Sequence, residues 1–171
     1  MKILITGKRG LAAALVNTLE QHHVFSTDQQ NYNIKNVNQW ACEFINFDVC
    51  INCAYDAWNQ VSVLEEFYEM WKDDPNKIIV NVGSTVANYS RTELDKEHKY
   101  SPYRLHKQAL ELCFNKLVRV ARCNIKLINP GPIDTAMVSH LNCNKMTPAH
   151  VADRISWLIN QPDVKRLDLW L

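Results

Sequence analysis

Six short apolar runs without polar alternation are the strongest constraint on this chain's fold. They lie at residues 2–6, 23–27, 49–53, 77–82, 125–128 and 167–171, and segments of helical composition separate most of them. A strand with one wet face alternates apolar and polar residues. A strand covered on both faces reads as an unbroken apolar run. Strands of the second kind that alternate with helices form a parallel, doubly wound sheet, because each parallel crossover needs a helix to return the chain. The expected fold class is therefore α/β, a Rossmann-type doubly wound parallel sheet of six or seven strands in a single domain over residues 1–171.

The helices are expected at 11–21, 37–45, 58–71, 102–120 and from Pro148 to about Asn160. Leu11, Leu15 and Leu19 put an apolar stripe on the first. Thr147 can cap the last, with Pro148 at its first position. Between Asp28 and Asp48 lie only 19 residues, rich in Asn and Gln at the start. They leave room for a reduced third strand and helix at about 29–47, with at most a very short strand at 32–34. Residues 84–101 read as a long loop.

Composition sets limits on partners. The net charge of +1 gives no general attraction to nucleic acid or to a membrane surface. No apolar run of bilayer length is present. The apolar N-terminal stretch is too short for a signal peptide, and a cytoplasmic location is expected. Of the six cysteines, Cys50 and Cys53 form a C-x-x-C inside an apolar strand with no second pair, which points to packing rather than to metal or redox chemistry. No His/Cys/Asp cluster has metal-ligand spacing, and no metal is expected. Glu65, Glu66, Glu69, His22, His23 and His106 are read as solvated surface.

Two constellations carry chemistry. In Thr6-Gly7-Lys8-Arg9-Gly10-Leu11-Ala12-Ala13 a strand, a glycine turn and a helix opening make a dinucleotide pyrophosphate site. The glycines admit the phosphates to the backbone, and the helix N-terminus offers free N–H groups. Asp28 lies 21 residues beyond Gly7, at the end of the second strand, where an acid binds a ribose 2′-hydroxyl. Lys8 and Arg9 pull the other way, toward a 2′-phosphate. In the second constellation, Tyr103 and Lys107 stand four residues apart on one helix face. An ammonium near a phenol favours phenolate and lowers its pKa, and such a phenol can exchange a proton with a carbonyl or alcohol oxygen.

Further segments stand in order along the chain: Ile51-Asn52-Cys53-Ala54-Tyr55, Val80-Asn81-Val82-Gly83-Ser84, and Asn129-Pro130-Gly131-Pro132-Ile133-Asp134-Thr135. Together with the glycine turn and the Y-x-x-x-K pair, they make the chain resemble the short-chain dehydrogenases/reductases almost end to end. The glycine turn resembles T-G-x-x-G-x-x-G/A. The second segment resembles N-N-A-G, with Cys53 and Tyr55 departing from it. The last resembles the P-G-x-x-x-T segment beside the nicotinamide.

The resemblance implies an NAD(P)-dependent oxidoreductase. Tyr103 would be the proton donor, Lys107 would hold the nicotinamide ribose, and Ser84 would bond the substrate carbonyl, with Thr85 and Ser90 as alternatives. Asn59, on the preceding helix, would support a proton relay. Gly7, Arg9, Gly10, Leu11, Asp28, Asn52, Ala54, Tyr103, Lys107, Pro130, Gly131, Ile133 and Thr135 would line the cofactor. The resemblance also implies a homodimer through the helices at 58–71 and 102–120. Only 11 residues separate Thr135 from Thr147, where the family carries a substrate lid, so a small carbonyl or alcohol substrate is expected. A catalytically weak dinucleotide-binding sensor or partner-binding module of the same fold is the alternative.

Overall fold

The computed structural model describes residues 1–88 and 102–170. Its centre is one parallel sheet of six strands: β1 (Lys2–Ile5), β2 (His23–Ser26), β3 (Val49–Asn52), β4 (Ile78–Val82), β5 (Asn124–Pro130) and β6 (Arg166–Leu169). The spatial order is β2-β1-β3-β4-β5-β6. All five pairings are parallel. The chain runs from β1 outward to β2, then crosses to the other side of β1 for β3. That reversal opens a crevice beyond the carboxyl ends of β1 and β3, the ordinary ligand position in such sheets.

Helices cover both faces. On one face α1 (Leu11–Thr18) packs against the last helix, α5 (Pro148–Ile159), over Ile3, Ile5, Ile51, Val80 and Ile128. On the other face α2 (Val37–Trp40), α3 (Asn59–Trp71) and α4 (Pro102–Leu117) cover Leu4, Cys50, Ile79, Ile125 and Leu127. Successive strand residues thus enter opposite cores, which accounts for the unbroken apolar runs. The Thr147 side chain accepts from the His150 N–H at 3.2 Å, and Pro148 opens α5 as expected.

Residues 29–47 contain no strand. They hold a 3₁₀ turn at Ile34–Asn36, then α2, then a second 3₁₀ turn at Ala41–Phe44. The expected helix over 37–45 is therefore split. Trp40 and Phe44 pack edge to face with each other, 5.8 Å between ring centroids, and both meet Tyr32. The tighter winding turns both rings into the core.

Candidate active site

The glycine turn follows β1. Gly7 has φ +99° and Gly10 φ +57°, conformations that side chains rarely adopt. Helix α1 opens at Gly10 without a capping side chain, so its first turn presents N–H groups and the positive end of the helix dipole. A Cβ on Gly7 would lie 3.5 Å from the Ala54 Cβ, and one on Gly10 would lie 3.0 Å from the Thr135 Cγ2. The structure thus brings Gly7, Gly10, Ala54 and Thr135 around one cradle, although they are scattered in sequence. The backbone of Leu11 belongs to this turn, and its side chain is core. Thr6 supports the cradle from beneath, because its Oγ1 accepts from the Cys53 and Ala54 N–H groups at 2.8 and 2.9 Å. These features fit the pyrophosphate of a dinucleotide.

Asp28 sits beside this turn with both oxygens engaged. Oδ2 accepts from Lys8 Nζ at 2.6 Å, and Oδ1 accepts from the N–H groups of Gln30 and Asn31. The bond from Lys8, then that from Asn31, hold its carboxyl below the ordinary carboxylate range. Arg9 is exposed on the same turn. At the other end of the P-G-x-x-x-T segment, Pro130 ends β5 and the Gly131 N–H donates to the Leu169 carbonyl at 3.0 Å. Ile133 bridges to Met146, which closes the short 136–146 connection onto the segment.

Ser84 follows β4 and Tyr103 opens α4. The Ser84 hydroxyl accepts from the Val86 N–H at 3.4 Å and is hydrogen-bonded to the Tyr103 phenol. Thr85 is buried, and Ser90 lies outside the described residues. Burial pushes the Tyr103 phenol up, with the Ser84 bond opposing. The expectation that Lys107 draws this phenol down therefore needs correction. The Lys107 Nζ stands over the face of the Tyr103 ring, 5.5 Å from its centroid. The dominant effect on the phenol is loss of water.

Lys107 is only 3% exposed. Its Nζ donates to the Gln60 Oε1 and to the Val82 carbonyl, both at 2.8 Å. Desolvation pushes the amine down to about 7, opposed by Cys53. Gln60 in turn donates through Nε2 to the carbonyls of Asn52 and Val82, at 2.9 and 3.0 Å. The side chain bridging α3 to Lys107 is therefore Gln60 rather than Asn59. Asn59 sits at the helix start, with Nδ2 3.4 Å from the Asp56 Oδ2. Asn52 also departs from its expected ligand-facing place. It is fully buried and donates to the Gln60 carbonyl and the Asn81 Oδ1 at 2.7 and 3.0 Å.

Sequence reasoning gave no role at the site to Tyr55, His106 or Gln60. Tyr55 packs edge-on against Tyr103 with centroids 4.8 Å apart, and its hydroxyl is hydrogen-bonded to His106 Nδ1 at 2.8 Å. His106, expected at the surface, packs against Trp58 with centroids 4.4 Å apart. The usable signal was the bulky Tyr55 where the resembled motif has glycine. For Gln60 it was position: residues 60, 63, 64, 67 and 71 form the buried stripe of α3. A separate groove of about 320 Å³, with His150, Arg154, Trp157 and Trp170 on its walls, lies along β6 and contains none of the expected site residues.

No family model and no curated protein matches the sequence. Solved structures match it throughout. A short-chain dehydrogenase from Burkholderia cenocepacia, in complex with NADP, superimposes with a TM-score of 0.80 at 17% identity, over 99% of this chain and 88% of that one. The 3-alpha-hydroxysteroid dehydrogenase from a Pseudomonas species, complexed with NADH, gives 0.77 at 18% identity, over 99% and 95%. A short-chain dehydrogenase/reductase from Vibrio parahaemolyticus gives 0.71 at 16% identity, over 98% of each. The chain has the fold of the short-chain dehydrogenases/reductases.

Proposed function

We propose that this chain is a single-domain NAD(P)-dependent oxidoreductase acting on small carbonyl or alcohol substrates. One observation carries the proposal. Tyr103 and Lys107 stand one helical turn apart at the carboxyl end of the sheet, and the Ser84 hydroxyl is bonded to the Tyr103 phenol. The cradle of Gly7, Gly10, Ala54 and Thr135 supports a dinucleotide at the neighbouring strand ends. The cofactors in the similar structures, NADP and NADH, support the same reading.

A bound nicotinamide supplies the hydride that reduces the carbonyl carbon. The protein supplies position and the proton. Tyr103 gives its phenolic proton to the developing alkoxide. The Ser84 hydroxyl steadies the phenolate left behind and the substrate oxygen. Lys107, held under the ring rather than at the hydroxyl, would bond the nicotinamide ribose. Burial keeps the phenol protonated before the reaction, as a general acid requires.

Tyr103→Phe keeps the ring against Tyr55 and removes the acid. General acid catalysis contributes about 100- to 10,000-fold, so turnover of an accepted carbonyl should fall by that order with little change in cofactor affinity. Near wild-type turnover would reject the mechanism. The sensor reading is favoured by a single feature: both acceptors of Lys107 are internal. NAD(P)H binding without turnover across a panel of aldehydes, ketones and alcohols would establish it instead.

A further inference from the structure

We infer that Tyr55 is a gate over Lys107, latched shut by His106, and that a ligand's ribose reaches the ammonium only when Tyr55 swings aside. The ribose contact rests on the oxidoreductase reading above. The gate itself rests on geometry within the chain. Lys107 is 3% exposed, and both its hydrogen bonds run to internal acceptors. Its Nζ lies 5.6 Å from the Tyr55 ring centroid and 5.5 Å from that of Tyr103. The two rings, in edge contact with each other, roof the ammonium. Tyr103 belongs to a continuous helix, whereas Tyr55 lies in the irregular segment between β3 and α3, so Tyr55 is the movable half.

The latch ties that segment to α4. The Tyr55 hydroxyl meets His106 Nδ1 at 2.8 Å, and Trp58 packs edge-on against the imidazole with ring centroids 4.4 Å apart. The segment is also strained. Ala57, two residues after Tyr55, has φ +49°, a left-handed conformation that alanine rarely adopts. Such strain persists where the surroundings enforce it, and here the Tyr55–His106 bond and the Trp58–His106 packing act beside the Lys35–Asp56 ion pair at 3.6 Å and the bond from the Asn59 N–H to the Asp56 carbonyl at 3.0 Å. Of these, the His106 contacts are the ones that hold the Tyr55 ring, and releasing them frees it to move. Apparent affinity for a ligand that needs the open form is then reduced by the fraction open, so loosening the latch raises it.

The test is reductive methylation with formaldehyde and cyanoborohydride, followed at Lys107 by peptide mass spectrometry, in wild type, Tyr55→Phe and His106→Leu. Lys126 is the internal control. It is fully buried, its Nζ donates to the Gln161 and Val164 carbonyls, and it reports global opening. Each variant should label Lys107 about 2- to 12-fold faster, the equivalent of one hydrogen bond, with Lys126 unchanged. An unchanged Lys107 rate overturns the gate, and so does an equal rise at Lys126. NADH and NADPH titrations of the same proteins separate the two proposals. Faster labelling with tighter nucleotide binding supports both. Faster labelling with no nucleotide binding in any protein leaves the gate and removes the oxidoreductase reading. Unchanged labelling with unchanged binding removes the gate alone.

Discussion

Lys107→Met makes the fold report the charge state of the site. Burial pushes the Lys107 amine from 10.5 down to about 7. In the unfolded chain the amine keeps its proton until about pH 10.4. Between these values the unfolded state binds more protons than the folded state, so stability rises with pH. Below about pH 7 both states are protonated, and the full cost of burying the cation is present. That cost fades as pH climbs toward 10.5. At about 1.4 kcal/mol per pH unit, the window amounts to on the order of 5 kcal/mol. Methionine fills a similar volume without a titration. It leaves the Gln60 Oε1 and the Val82 carbonyl without this donor, an offset of about 1–3 kcal/mol per group that does not vary with pH. Urea melts of both proteins from pH 6 to 10 give the difference directly. Other groups, including Lys126 at about 8, titrate alike in both and cancel. Wild type should gain on the variant by up to about 1.4 kcal/mol per unit above pH 7. A flat difference would show that the amine keeps its ordinary pKa, and with it would go the account of Lys107 as a desolvated cation.

Three further outcomes are expected. Gly83→Ala would place a Cβ 2.0 Å from the Asn129 Oδ1, while Asn129 is tied through Nδ2 to Asp168 at 2.8 Å; a loss of about 1–3 kcal/mol should follow, and an unchanged urea midpoint would contradict the packing. Asp28→Ala removes the carboxylate that engages Lys8, which frees that cation for a 2′-phosphate. The NADP-to-NAD affinity ratio should rise in calorimetry, and a constant ratio would remove Asp28 from cofactor choice. The proposed homodimer through α3 and α4 has exposed Leu105 and Leu112 on α4 to bury. Leu112→Glu should shift a sedimentation profile from dimer to monomer, and a wild type that is only monomeric at micromolar concentration would reject it.

The sheet was legible because double-sided burial leaves a local signature. Ile3, Leu4 and Ile5 are all fully buried, though their side chains alternate between two cores. The shortness of 29–47 likewise excluded a full strand and helix. Side-chain contacts made across the sequence left less trace. Asn59 was expected from its place on the helix before Ser84, 25 residues earlier, whereas burial follows position on the helix face, and residue 60 is the one aligned with Val63, Phe67 and Trp71. His106 was read as surface because three residues beyond Tyr103 it leaves the Tyr103–Lys107 line. Its partners Tyr55 and Trp58 come from about fifty residues earlier in the chain. The phenol failed for a different reason. Helical spacing places Lys107 near Tyr103 but does not place the ammonium at the hydroxyl, and it says nothing about desolvation.

Keeping Lys107 where it is runs against stability, and that bears on what the surrounding residues are for. An apolar side chain of the same volume removes the desolvation penalty, and cores generally gain from such replacements when the partners can be satisfied otherwise. Here they are not easily satisfied, because Gln60 bonds at once to Asn52, Val82 and Lys107 and so joins the carboxyl ends of β3 and β4 to α4. Asn52 extends the same network to Asn81, and Asn81 donates to the Lys126 carbonyl on β5. Three adjacent strands and two helices are thus held by one chain of buried amides that ends on an ammonium. When the amine is neutral the network still holds through the amides. When the amine is protonated, the cation attracts hydroxyls or a phenolate from the cleft, and the aromatic rings standing over it are those of Tyr103 and Tyr55. The fold therefore places a costly charge beneath two aromatic rings, and in the proposed mechanism access to Lys107 decides when that charge can meet a ligand.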